Sequence, residues 1–152
     1  KDVGKERLVR IVARSVEIKR SVVEADEREG GLRQVLNFGH TLGHAIEAAS
    51  GFRLGHGSSI SAGMCIIARA SARMGWCSEA TARRIENVVC AHGLPTNTDI
   101  DAETLLSFAT HDKKRRADHL KVVVPREIGR VELRDISIEG LREIIDLGCE
   151  SR

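Results

Sequence analysis

The sequence predicts a mainly α protein, a helical bundle of five to six helices with one small β-hairpin, and three observations predict it. Apolar residues recur at helical spacing over most of the 152 positions. The periodic stretches are separated by glycine, proline and Ser/Asp signals of the kind that stop and start helices. Only Leu120 to Val124, with its run of valines, reads as a strand, and a partner follows at once. With 41% apolar residues and a formal net charge of +2, residues 1–152 have enough material for the core of one globular domain.

From Gly4 to Glu29, Leu8, Ile11, Val12, Val16, Ile18, Val22 and Val23 fall at helical spacing with charges between them, which predicts an amphipathic helix. Lys19 lies near the apolar border, either as a solvated lysine or as a long cation reaching into a neighbouring cleft. Gly30 and Gly31 end this helix. A second helix is predicted from Leu32 to Ser50, stopped by Gly51. Arg33, Asn37, His40, His44 and Glu47 follow one another at steps of three or four and so share one face of it. Val35, Leu36, Phe38, Leu42, Ala45 and Ile46 supply an apolar side to bury. Gly39 and Gly43 each cost a helix about 1 kcal/mol relative to alanine, so a close approach of another backbone or of a ligand is expected there.

Gly51 to Gly57 reads as a glycine-rich turn that presents His56. A third helix starts near Ser58, with Ser58 or Ser59 as N-cap, and ends between Met74 and Gly75; Ala62, Gly63, Ala68, Ala70 and Ala72 permit close packing. Ser78 caps a fourth helix, Glu79 to His92, closed by Gly93-Leu94-Pro95, with His92 as a capping residue rather than a ligand. Asp101 caps a fifth helix through Thr110, followed by the cationic run Asp112-Lys113-Lys114-Arg115-Arg116. Leu120 to Val124 pairs with Gly129 to Leu133 across a turn at Pro125 to Ile128, and a last helix follows Ser137.

Composition narrows the partners. The charge balance is nearly even and aromatic residues are only 3% of the chain, none interleaved with the basic run, so nucleic acid is not an expected partner. No apolar run is long enough to span a bilayer and no signal-like segment opens the chain, so no membrane partner is expected. Cys65, Cys77, Cys90 and Cys149 show no CxxC spacing and read as reduced thiols of a cytoplasmic protein. Beginning at Lys1, the chain reads as a piece of something longer.

The stretch from Arg33 to His56 carries the chemistry. His40 and His44 are four residues apart and His56 follows His40 by sixteen, a set that can converge on a divalent metal, with zinc favoured by imidazole. Spacing alone equally admits His44 as a satisfied core residue and His56 as a loop residue. Glu47 is either a local ligand or a carboxylate that orients an imidazole. Arg33 and Asn37 add a cation and an amide, suiting the cleft to an oxygen-rich anionic small molecule.

The run Asn37-Phe38-Gly39-His40-Thr41-Leu42-Gly43-His44-Ala45-Ile46-Glu47, with Asp26 to Arg33 before it and His56-Gly57 after it, closely resembles the 3-dehydroquinate synthases among the sugar-phosphate cyclases. The resemblance extends to Lys19-x-x-Val22-Val23, to Ala62-Gly63-Met64 and to Asp112-Lys113-Lys114 ahead of the strand. It implies a two-domain enzyme of the shikimate pathway of aromatic amino acid biosynthesis. This chain is similar only to the C-terminal, metal- and substrate-binding helical domain, without the N-terminal domain that binds NAD. His40 and His56 match metal ligands for zinc or cobalt, and the third ligand, a glutamate, has no counterpart here. Lys19, Arg33, Asn37, His44 and Lys113 match substrate-binding residues, with His44, Arg33 and Lys19 also catalytic.

The implied reaction converts 3-deoxy-D-arabino-heptulosonate 7-phosphate to 3-dehydroquinate and phosphate. NAD oxidises a ring alcohol transiently so that the neighbouring proton becomes acidic and phosphate leaves; the hydride returns, and ring opening and aldol closure follow. The ion acts as a Lewis acid, His44 relays the alcohol proton, and the cations fix the anionic groups. The resemblance also implies a homodimer and an isolated half that cannot turn over. One departure stands out: the family has Glu after His-Gly where this chain has Ser58. A related cyclase, or a non-catalytic helical module binding a metal or a protein, are the alternative readings.

Overall fold

The computed structural model describes residues 4–26, 31–111 and 119–149. Two compact units divide the chain, Lys1–Leu36 and Asn37–Arg152. Six α-helices, one 3₁₀ helix and a two-stranded antiparallel hairpin make up the regular structure of the described residues, as the mainly α reading expects.

In the first unit, α1 runs from Lys5 to Ala25 and buries none of its residues, its apolar stripe of Leu8, Ile11, Val12, Val16 and Ile18 included. Its solvent side carries the ion pairs Arg14–Glu17 and Arg20–Glu24, at 3.1 and 2.7 Å, both at helical spacing. Asp26 then accepts hydrogen bonds from the backbone N–H groups of Gly31 and Arg33, each at 2.9 Å through Oδ2. That carboxylate satisfies donors at the start of the 3₁₀ helix, Leu32–Asn37.

Here the structure corrects the sequence reading: no single helix runs from Leu32 to Ser50. The 3₁₀ helix ends at Asn37 and α2 begins at His40, ending at Ala49. Gly39 between them has φ +84°, a left-handed conformation that breaks the helix and that favours glycine. In a 3₁₀ helix residues three apart align, not four, so the single helical face expected to link Arg33 and Asn37 to the histidines does not exist.

The second unit is built around α3, His56–Arg73, which packs against α2, α4 (Glu79–Ala91) and α6 (Ile138–Gly148). Its small residues explain that central place. A Cβ on Gly63 would lie 2.7 Å from the backbone nitrogen of Gly43, and one on Gly43 would lie 2.8 Å from Ile60 Cα. The close approach expected at Gly39 and Gly43 is therefore the backbone of α3. Leu42, Ile46, Ile66, Leu105, Val122, Leu141 and Ile144 fill the core between these elements, all without solvent exposure.

α3 also begins two residues earlier than its sequence signals suggest, with Gly55 as N-cap and no side-chain cap, so His56 opens a helix rather than sitting in a loop. Ser78 and Asp101 cap α4 and α5 (Ala102–Thr110) as expected, and Ser137, after which a last helix was expected, caps α6, each side chain accepting from a backbone N–H three residues on. His92 is the C-cap residue of α4. The hairpin is longer than predicted: β1, His119–Glu127, pairs with β2, Arg130–Ser137, and Pro125 lies inside β1 beside a bulge between Pro125 and Glu127. A two-stranded sheet has only edge strands, where proline is tolerated, so the turn moves to Ile128 and Gly129.

Arg69, on the buried side of α3, ties the unit together. It donates to the carbonyl oxygens of Gly148 at 2.6 Å and Thr96 at 3.0 Å and pairs with Glu86. None of the four cysteines is in a disulfide, and no helix of the described residues is long and apolar enough to cross a membrane.

Candidate metal and substrate site

Local backbone geometry assembles the histidines. The left-handed turn at Gly39 starts α2 at His40, and the Gly43 N–H donates to the Gly39 carbonyl at 2.8 Å, closing the first turn. His44 follows one turn later and Glu47 three residues after it. Gly51 and Phe52, both at positive φ of about +60°, reverse the chain, and α3 runs back along α2. Gly39 meets Ile60 and Met64, and Gly43 meets Ile60, so the start of α3 comes to lie opposite Glu47.

Three imidazoles meet as a result. Ring centroids of His40 and His44 are 5.4 Å apart, those of His44 and His56 5.4 Å, and those of His40 and His56 5.7 Å. Glu47 lies against two of them: its Oε2 is 3.1 Å from His56 Nδ1 and 3.5 Å from His44 Nδ1. His40 Nδ1 faces the Phe38 carbonyl oxygen at 3.4 Å. The Glu47 side chain is 18% exposed, against 60% for His44 and 55% for His56. The hydrogen bond with His56, then that with His44, holds the Glu47 carboxyl below the usual carboxylate range, in spite of partial burial, which pushes the other way.

The set suits a metal. His44, Glu47 and His56 bring ligand-capable atoms within 4.8 Å of one another, and imidazoles with a carboxylate are donors that zinc and cobalt accept. The His44-as-core reading fails, because that side chain is mostly exposed.

Lys19 is exposed on α1 and Arg33 is half-buried in the 3₁₀ helix, both within the first unit. Asn37 is exposed at the start of the second unit. Lys113 lies outside the described residues. Glu47, read from the sequence as either a local ligand or a carboxylate that orients an imidazole, lies against both His44 and His56; its signal was the three-residue step from His44, which places a carboxylate beside an imidazole on any helix.

The helical unit thus brings three imidazoles together on two antiparallel helices, an arrangement whose donors could hold a divalent metal. A family model described as 3-dehydroquinate synthase C-terminal matches residues 1–115, and the chain belongs to that family. It is 42% identical over 130 residues to a 3-dehydroquinate synthase of Dehalococcoides mccartyi strain CBDB1, covering 85% of this chain and 36% of that protein. It is 44% identical over 147 residues to one of Geobacter sp. strain M21, covering 95% and 41%. The chain thus spans about two fifths of the length of these relatives.

Two solved structures share the fold. One is a 2-deoxy-scyllo-inosose synthase complexed with carbaglucose-6-phosphate, NAD+ and Co2+, with TM-score 0.78, 23% identity, and coverage of 94% of this chain and 41% of that one. The other is the 2-epi-5-epi-valiolone synthase ValA of Streptomyces hygroscopicus subsp. jinggangensis 5008 with NAD+ and Zn2+ bound, with TM-score 0.79, 21% identity, and coverage of 95% and 40%.

Proposed function

We propose that the chain is the metal- and substrate-binding half of a 3-dehydroquinate synthase, forming 3-dehydroquinate and phosphate from 3-deoxy-D-arabino-heptulosonate 7-phosphate. In this reading it turns over only with a dinucleotide-binding half, as a cytoplasmic homodimer. The observation that supports it most is the convergence of His40, His44 and His56 at ring separations of 5.4–5.7 Å in a chain of this family. The net reaction breaks a carbon–oxygen bond to phosphate and is redox-neutral, because the hydride taken from the substrate returns to it.

His40 and His56 would hold a zinc or cobalt ion, with a carboxylate from outside the chain as third ligand. When bound, the ion polarises the reacting oxygen of the substrate and NAD on the other half carries the hydride. His44, not needed as a ligand, takes and returns the alcohol proton at its imidazole. Lys19, Arg33 and Lys113 neutralise the carboxylate and phosphate of the substrate, and Asn37 hydrogen-bonds its hydroxyls, which positions the ring for reaction. A second reading, a related cyclase acting on another sugar phosphate, is favoured by Ser58 standing where the family has glutamate, two residues after His56.

The test uses the chain joined to the segment that precedes it in its own reading frame, with phosphate release measured on a panel of sugar phosphates beside metal content. His40→Ala and His56→Ala should lose metal and activity together. His44→Ala should keep its metal and turn over about 10²–10⁴-fold more slowly. Arg33→Ala should keep its metal and lose mainly substrate affinity. A metal-free His44→Ala protein would make His44 a ligand, and release from a different sugar phosphate alone would establish the second reading.

A further inference from the structure

Every imidazole of the cluster has its Nδ1 against a protein acceptor. His40 Nδ1 faces the Phe38 carbonyl oxygen at 3.4 Å, and His56 Nδ1 and His44 Nδ1 face the same oxygen of Glu47 at 3.1 and 3.5 Å. A carboxylate oxygen has two lone pairs and can accept from both rings: it makes the hydrogen bond with His56, and His44 Nδ1 stands within reach of the same oxygen. An Nδ1 that donates carries the proton, so the lone pair of that ring is on Nε2, at its opposite end.

We propose that Glu47 is a positioning residue that fixes His44 and His56 together in the Nδ1–H tautomer, so that both offer Nε2. Packing makes this arrangement specific. Glu47 is anchored on α2 with its side chain largely covered, whereas the two imidazoles are mostly exposed and hold their orientation through it. His56 opens a helix without a side-chain cap, and its Nδ1 makes its hydrogen bond with the Glu47 carboxylate. Because one oxygen serves both rings, the metal-ligand role of His56 and the proton-transfer role of His44 are coupled through Glu47. This coupling rests on the roles proposed above, but the tautomer assignment stands without them.

The experiment is long-range 1H–15N correlation NMR on the 152-residue chain labelled at histidine, at a pH above the histidine range so that the rings are neutral. In the unsubstituted chain His44 and His56 should both show Nδ1–H signals. Glu47→Ala should return them to the mixed tautomers of free imidazole, and Glu47→Gln, whose amide oxygen still accepts, should retain much of the Nδ1–H form.

Zinc titration of the same samples should show binding weakened about 10–100-fold in Glu47→Ala, the range for loss of a carboxylate behind a metal-binding histidine, with coordination through Nε2 of His56. An Nε2–H tautomer at His56 in the unsubstituted chain overturns the proposal, as does a tautomer pattern unchanged in Glu47→Ala. Coordination of zinc through Nδ1 also overturns it, because Glu47 would then be a ligand beside those nitrogens. Failure of zinc to bind at all counts against the metal reading and leaves the tautomer result to decide this one.

Discussion

Single residues decide how closely α2 and α3 approach, and the histidine cluster depends on that approach. Gly63 sits where any side chain would meet the backbone of Gly39 and Gly43, and backbone cannot rotate aside as a side chain can. Gly63→Ala should therefore destabilise the second unit by about 1–3 kcal/mol, the range for overpacking a filled interior. It should also push the start of α3 away from Glu47. Chemical denaturation gives the first effect and zinc affinity the second. A stable variant with unchanged metal binding would show that the two helices have slack that the distances do not. The glycines were legible in the sequence as costly helix positions. Their partner on α3 was not, because only the fold says which backbone comes near.

At the scale of elements, helix ends were read best where a side chain does the capping. Ser78 and Asp101 cap the helices that the sequence assigns to them, and Ser137 caps the helix expected to follow it, each accepting a backbone N–H. Where a cap is made by backbone conformation alone, sequence carries no such signal. Gly39 reads as a helix interior glycine yet breaks the helix, and Gly55 starts α3 before the serines that look like caps. The Pro125 turn was misplaced for a related reason: proline excludes a central strand, but this sheet has only edges.

The caps are testable. Ser78→Ala should cost about 1 kcal/mol, a fall of about 3 °C in Tm for a chain of this size. Asp101 is held below the usual carboxylate range by hydrogen bonds from the backbone and then the hydroxyl of Thr104. With its folded-state pKa depressed, its contribution is complete above pH about 4, the unfolded value, and is lost as pH falls through the lower folded value. The Tm difference between the unsubstituted chain and Asp101→Ala should accordingly be constant near neutrality and shrink below pH about 4. A difference that grows on acidification would contradict the assignment.

For the whole molecule, the core residues of the described structure all lie in the second unit, from Leu42 to Ile145, while α1 buries nothing. Stability should then belong to residues 37–152. An isolated helix of the 21-residue length of α1 is marginal in water, since most helical stability in proteins comes from a packed face. The chain carries a single tryptophan, Trp76, which packs against the core with the Arg134 guanidinium 4.4 Å from its ring centroid, so its fluorescence reports on the second unit. On heating, Trp76 fluorescence should show one cooperative transition, and far-UV circular dichroism should in addition lose α1 helicity gradually at lower temperature. Probes that do not coincide are the mark of more than one unfolding unit. Deleting residues 1–36 should leave the Trp76 transition in place and remove the early loss of helicity. Coincident transitions in the whole chain, or a truncated chain without a cooperative transition, would show that the first unit is needed to fold the second. The histidine cluster, contained in residues 40–56, should persist in the truncated chain and give the same Nδ1–H signals, because every acceptor that orients those rings lies in the second unit.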